Sequence, residues 1–322
     1  MQFSVPAPPV PLVSVDAGNA AIKIFDGRAH GLIQALYVPI PDGAPALQPV
    51  KNSPVVEVDG QRYHLGHQAR YYDTCQVAAT GDKTDLARLF VAGGLPVKSK
   101  DNRCDLVLCH HSHDLTRDRL ISDLAGPFSF SRNGKRYTVD IRSVEILDEG
   151  FGSWAMCRGQ GFLGIGLTLV LDLGCGNVLA RLIDSYGVTV RSLTLDKDGV
   201  LRLAYLIGQN SKLSKPLRAH GITHPKAAAI LEGLRDGSHT YESTGIGWSD
   251  WWCPVRNQWF KGFLSAVTAE FQRQMGKVDR VLPTGGGTYL ITDLVAGKAR
   301  FIVPDVPHRA NVIGEWRWLC NQ

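Results

Sequence analysis

Cysteine is sparse and shows no pairing pattern. The seven residues Cys75, Cys104, Cys109, Cys157, Cys175, Cys253 and Cys320 are scattered, odd in number and never spaced as CxxC. That fits reduced thiols in a cytosol better than a disulfide framework or a structural zinc site. No apolar run reaches the length a bilayer requires. The opening Met1-Gln2-Phe3-Ser4-Val5-Pro6 has neither a basic n-region nor an apolar h-region, so no secretory signal is expected. Runs of like charge are also missing. The net charge is +5 over 322 residues, with Lys and Arg dispersed. Direct DNA contact is therefore not indicated. The expectation is a cytoplasmic protein without a membrane span.

What is present is an ordinary globular composition, 44% hydrophobic and 20% charged, in a chain long enough for two cores. Leu12 to Val15 and Ala21 to Phe25 read as strands around the turn Asp16-Ala17-Gly18-Asn19. Further strands are expected around 32–39, 55–58 and 62–65, the last two joined by Asp59-Gly60. Lys83 to Ala92 predicts a helix ended by Gly93-Gly94. Asp105 to Cys109 predicts a buried strand, Phe128 to Ile146 a hairpin around Asn133-Gly134, and Gly150 to Gly161 a helix. Leu167 to Leu171 is a continuous apolar run that enters Asp172-Leu173-Gly174-Cys175-Gly176-Asn177, and Val178 to Ile183 returns. Residues 188–193 predict a third strand and 199–234 mostly helix. Val255, Trp259, Phe263, Val267 and Phe271 mark a long amphipathic helix. A strand over 278–282, a turn at Gly285-Gly286-Gly287, a helix over 288–295, a strand over 301–303 and a helix over 310–320 complete the reading.

The two Asp-x-Gly hairpins form an internal repeat. After Asn19 come Lys23-Ile24-Phe25-Asp26, and after Asn177, beyond an inserted Cys175-Gly176, come Arg181-Leu182-Ile183-Asp184 at the same offset. Two such hairpins argue for duplicated lobes that share one ligand. Glycine in a turn lets backbone N–H groups close on a phosphate. Asp16 is a hard oxygen ligand suited to Mg²⁺ through water, and Lys23 is placed to reach a β- or γ-phosphate. Asp172, Gly174, Gly176 and Asn177 repeat the parts. Leu282-Pro283-Thr284-Gly285-Gly286-Gly287 offers bare backbone against which an adenosine can lie, or else simple tight packing at a turn.

In this order the motifs resemble those of the actin-like superfamily. Asp16-x-Gly18-x-x-x-x-Lys23 is similar to its first phosphate motif, Asp172-x-Gly174-x-Gly176 to its second and Thr284-Gly285-Gly286-Gly287 to its adenosine motif. Asn311-x-x-Gly314 resembles its tail motif. Residues 59–69 and Leu147-Asp148-Glu149-Gly150 resemble stretches of the bacterial ParM/StbA plasmid-segregation proteins. The resemblance implies an α/β actin-like fold of two duplicated lobes, ribonuclease-H-like mixed sheets with flanking helices, around a nucleotide cleft. It implies a first lobe over 1–158 with a small subdomain near 41–104 and a returning helix over 308–322. The second lobe would span 159–307 with a helical subdomain near 197–277. It implies ATP or GTP with Mg²⁺ as cofactors, and nucleotide contacts from Asp16, Gly18, Asn19, Lys23, Gly174, Cys175, Gly176, Asn177 and Thr284 to Gly287. Asp16 and Asp172 would hold the metal through water, and Glu149 and Asp172 would be catalytic, Glu149 by orienting the attacking water. It further implies slow hydrolysis coupled to head-to-tail self-assembly, with a DNA-binding adaptor as partner, in DNA segregation or a bacterial cytoskeleton.

Cys175, Asn177 and Leu179 depart from the pattern, where relatives carry Gly or Asp, Thr, and a polar or acidic residue. A nucleotide-binding scaffold without hydrolysis therefore stays open, as does a sugar kinase of the same superfamily. Cys109, His110 and His113 have metal-ligand chemistry, but the stretch also reads as a polar loop. Of the adjacent Trp251 and Trp252, one is expected to face away from the core as a subunit contact.

Overall fold

The computed structural model describes residues 10–78, 84–97, 101–110 and 113–321. The chain forms two compact units, Met1–Gly164 with Pro304–Gln322, and Ile165–Val303.

The first unit opens with β1 (Leu12–Ala17), β2 (Ala21–Phe25) and β3 (His30–Gln34). It continues with β4 (Leu36–Ile40), β5 (Val55–Val58), β6 (Gln61–Leu65) and β7 (Gln76–Val77). Then come α1 (Ala87–Gly94), β8 (Asp101–His110), α2 (His113–Leu124), β9 (Gly126–Arg132), β10 (Lys135–Asp148) and α3 (Phe151–Gly159). The second unit holds β11 (Leu167–Leu173), β12 (Asn177–Ile183), β13 (Thr189–Asp196), α4 (Val200–Gln209), α5 (Ser211–Ala219), α6 (Ala227–Arg235), α7 (Trp252–Glu270), β14 (Val278–Thr284) and α8 (Thr292–Val295). The chain returns to the first unit as α9 (Ala310–Cys320).

Within each unit a three-strand meander is followed by a parallel strand laid on its first member. The first sheet contains the run β3-β2-β1-β8, and the second sheet is β13-β12-β11-β14. β1 pairs β8 in parallel, as β11 pairs β14. The duplication of mixed sheets is thus present in strand order. In the first unit β10 adds a further parallel strand beside β8. In the second unit the corresponding position is a single parallel bridge, Val281↔Phe301. The strand expected over 301–303 therefore shrinks to one bridge, with Val281 N donating to Arg300 O and Ile302 N to Val281 O. The helix expected over 288–295 is likewise split into a 3₁₀ turn, Gly286–Leu290, and the single-turn α8. The strand expected near 32–39 is two strands, β3 and β4, broken at Ala35.

Local chemistry explains the turns. Asp59 and Gly60 have φ of 52° and 77°, and Asn133 and Gly134 have φ of 54° and 77°. These left-handed pairs suit a two-residue hairpin, and Asn, Asp and Gly tolerate them best. Gly93 and Gly94 do close α1, but for want of space: a Cβ at Gly93 would strike the Leu65 side chain and one at Gly94 the Ile24 side chain. Lys83, at the start of the expected helix, lies outside the described residues.

Alternation along β1 places Val13 and Val15 in the core shared with α1, and turns Leu12 to a second core with Val312, Ile313 and Trp316 of α9. Trp316 Nε1 donates to Leu12 O at 3.0 Å and its ring meets Phe25 edge-on at 5.5 Å. Helix α9 crosses α3 glycine on glycine. A Cβ at Gly314 would overlap the Gly152 carbonyl, and one at Gly152 the Asn311 carbonyl. The buried Asn311 Oδ1 accepts from Ser153 N at 3.1 Å and Ser153 Oγ at 2.8 Å, which locks the crossing. In the second unit Trp248 and Trp252 are buried in one core and Trp251 packs against that same core. The expectation that one of the pair faces outward is corrected: α7 starts at Trp252, and the change of backbone direction at Trp251 brings both rings to the same cluster.

Backbone atoms in the α3–α9 crossing cannot yield as a side chain would. Gly314→Ala is expected to destabilise the protein by about 2 kcal/mol or more, read from urea unfolding. An unfolding midpoint equal to that of the unmodified chain would refute the crossing.

Candidate functional site

Three parallel strands of the first unit end together. The register sets Asp16 of β1 beside Cys109 of β8, and Cys109 beside Leu147 of β10. Glu149 follows β10 directly, its amide donating to His110 O at 3.3 Å. Gly150, with φ 91°, then turns the chain into α3. Carboxyl ends of parallel strands are where α/β sheets collect ligands. Here they collect Asp16, Cys109 and Glu149, all buried, with one ligating atom from each within 4.8 Å of the others. The sequence predicted Asp16 and Glu149 as parts of one site, and the sheet brings them together. Cys109, which the sequence sets beside His110 and His113, joins the two acids here. His110 is buried, with Nδ1 3.3 Å from Thr116 Oγ1. His111 and the side chain of His113 lie outside the described residues.

Lys23 faces Asp16 across the hairpin, Nζ to Oδ2 at 2.6 Å. The lysine neutralises a carboxylate that is only 2% exposed, and such a buried charge requires a partner. Gly18 is needed for the turn, since a Cβ would sit 2.8 Å from Ala21 O. Asn19 lies in the same turn between β1 and β2.

The second hairpin matches the first more closely than the sequence suggested. Ala17↔Ile22 closes the first and Leu173↔Val178 the second, leaving four residues in each turn. Gly174 repeats the constraint on Gly18, with a Cβ 2.9 Å from Asn177 O. Gly18 therefore corresponds to Gly174, Asn19 to Cys175, and Lys23 to Leu179. There is no insertion at Cys175-Gly176. Matching Asn19 to Asn177 displaced the sequence alignment by two residues, because a shared polar side chain outweighed turn length. Arg181 stands opposite Val170, away from Asp172. The second hairpin has a buried leucine where the first has its lysine.

The turn at 174–176 is oriented by α4. Val200 N donates to Gly174 O at 3.0 Å and Leu201 N to Cys175 O at 2.8 Å. In a trans peptide the N–H points opposite to the C=O. The amides of Cys175 and Gly176 therefore point away from α4 as consecutive donors, the arrangement of an anion nest. Burial pushes the Cys175 thiol up to about 11, which favours its protonated form. Asp172 lies beside Thr284 in the β11–β14 register. A Cβ at Gly285, whose φ is 82°, would strike Asp172 Oδ1, and one at Gly287 would sit 2.7 Å from Val200 Cγ2. Both glycines are packing requirements. Gly286 alone faces open space, with nothing within 4 Å of a Cβ.

Sequence reasoning missed Glu315. It is fully buried on α9, and its Oε2 accepts from Ser14 Oγ at 2.7 Å. Burial, and to a lesser degree the charge of Asp16, push its carboxyl up to about 8. The available signal was an acid on the apolar stripe of Val312, Ile313 and Trp316.

Residues 14–152 match the family model described as actin-like proteins N terminal domain. The protein has the actin-like fold. Ta0583, an archaeal actin homologue, superposes with a TM-score of 0.74 at 17% identity, covering 97% of this chain and 100% of that one. Its complex with ADP gives 0.72 at 17%, covering 97% and 100%. A ParM from a 15-stranded filament of Clostridium botulinum gives 0.74 at 13%, covering 96% and 98%. No curated protein sequence matches the chain significantly. The actin-like fold that the motifs imply is borne out, and with it the two-unit α/β architecture. Among the described residues no helix of this actin-like chain is long and apolar enough to cross a membrane.

Glu315 has a measurable signature. Its ordinary value is 4.5, so between there and about 8 the folded chain holds a proton that the unfolded chain releases. Stability from this group is complete below the lower value and is lost as pH rises through the upper one. Glu315→Gln is expected to flatten the fall in unfolding midpoint between about pH 5 and about pH 9. An unchanged pH profile would count against a neutral, buried Glu315.

Proposed function

We propose that the protein is a ParM-like actin homologue that binds Mg-ATP, assembles into filaments and hydrolyses its nucleotide slowly. The observation that carries this reading is the convergence of Asp16 and Glu149 at the ends of parallel strands, with Lys23 of the antiparallel β2 paired to Asp16, beside a family match over 14–152. Support for a nucleotide also comes from the ADP complex of the archaeal homologue, and support for self-assembly from the filament of the clostridial ParM.

Lys23, released from Asp16, meets the β- or γ-phosphate, and Gly18 and Asn19 supply turn amides to it. In the second unit the Cys175 and Gly176 amides take phosphate oxygens, with Gly174 and Asn177 shaping that turn. Thr284 to Gly287 form the adenosine wall, where the open face at Gly286 receives the base or ribose. The hard oxygens of Asp16 and Asp172 fit Mg²⁺ held through water, and the metal, when bound, neutralises phosphate charge. Glu149 orients a water for in-line attack. The filament is head-to-tail, and a DNA-binding adaptor connects it to DNA segregation, or it serves as a bacterial cytoskeleton.

Light scattering and electron microscopy with and without Mg-ATP test assembly. Filaments are expected only with nucleotide, and a protein that stays monomeric under every nucleotide condition would overturn the filament. Lys23→Ala is expected to raise the Kd for a fluorescent ATP analogue about tenfold, the loss of one charge-assisted contact. Glu149→Gln is expected to lower phosphate release by about 10²-fold or more with binding retained. The buried Leu179, where relatives carry a polar or acidic residue, together with Cys175 and Asn177, favours a second reading, a scaffold that binds without hydrolysis. Phosphate release no higher than that of Asp172→Ala would establish it. ADP release stimulated by one sugar would replace both with a kinase.

A further inference from the structure

The cysteine beside the two acids has no place in the nucleotide reading. We propose that Asp16, Cys109 and Glu149 form a protein site for a thiophilic divalent cation, zinc or cobalt, which binds without nucleotide.

The site is built by the sheet. Asp16, Cys109 and the residue after β10 stand at adjacent ends of three parallel strands, so the backbone holds the three side chains together before any ligand arrives. Their exposures are 2%, 4% and 8%, and their ligating atoms lie within 4.8 Å of one another. Neighbouring oxygen and sulfur ligands on a tetrahedral zinc are about 3.5 Å apart, so closure needs side-chain shifts of about 1 Å. Two buried carboxylates repel in a medium of low dielectric, and Lys23 at 2.6 Å neutralises Asp16.

Sulfur decides which cation. Mg²⁺ takes hard oxygen ligands and gains nothing from a thiol. Zinc and cobalt gain strongly from a thiolate. As the metal–sulfur bond forms, the Cys109 proton leaves to solvent. Because Asp16 and Glu149 also serve the proposed nucleotide site, the bound cation competes with Mg-nucleotide there. The competition rests on that reading, whereas the site itself does not.

The test is a Co²⁺ titration of the nucleotide-free full-length protein, with Mg²⁺ in excess. A near-ultraviolet thiolate-to-cobalt absorption is expected at one equivalent. It should vanish in Cys109→Ser and form at least about tenfold more weakly in Glu149→Gln. No band, or a band unchanged in Cys109→Ser, would overturn the site. Should Cys109→Ser fail to fold, Cys109→Ala takes its place: loss of the band is expected, and a band of unchanged strength refutes the proposal. Binding of a fluorescent ATP analogue with Mg²⁺, measured on the same preparation, separates the two readings. Cobalt binding without nucleotide binding refutes only the nucleotide site, and the reverse refutes only the metal site.

Discussion

The first unit's site depends on the contact of Gly152 with Gly314. It lets α3 and α9 approach at backbone distance, with Asn311 tying the two together. Helix α3 begins directly after Glu149, and α9 carries Glu315 to Ser14. A side chain at either glycine would push the helices apart and loosen the acid at the strand end as well as the buried carboxyl under β1. A segment remote in sequence, starting at Pro304, thereby holds the floor of a site whose residues Asp16, Lys23, Cys109 and Glu149 all lie before residue 150.

The two units show how a duplicated hairpin diverges under different loads. Gly18 and Gly174 meet the same backbone constraint, and both turns are four residues long. Opposite the acid, however, the first hairpin keeps a lysine at 2.6 Å and the second a buried leucine. Asp16 is sealed and needs an internal countercharge. Asp172 is partly exposed, so water can solvate it and the apolar neighbour costs little. The second turn compensates in another way, with carbonyls fastened to α4 and amides presented on the opposite side. The first hairpin carries side-chain charge, and the second presents backbone donors.

Most of the architecture was legible from periodicity and turn chemistry. The Asn133-Gly134 and Asp59-Gly60 hairpins, the apolar strands and α9 follow from local rules, since a left-handed turn or an apolar stripe is encoded within a few residues. Where expectation failed, the deciding contact was remote. The strand over 301–303 is only a bridge because a single residue of β14 pairs with it. Trp251 and Trp252 share a core because the chain turns into α7 between them. The repeat was found but misaligned, as turn length is a property of the closing strand pair and not of the residues inside it.

By itself the sequence determined the acids and glycines of the site, the order of the elements and the presence of two related hairpins, because these are matters of residue type and short-range geometry. Only the tertiary structure decided that Cys109 stands with Asp16 and Glu149, that Glu315 lies buried beneath β1 with its carboxyl at about 8, and that Lys23 has no counterpart at Arg181. Those facts depend on parallel strand register and on a helix crossing. Both bring together residues that are far apart along the chain, where no local pattern carries a signal.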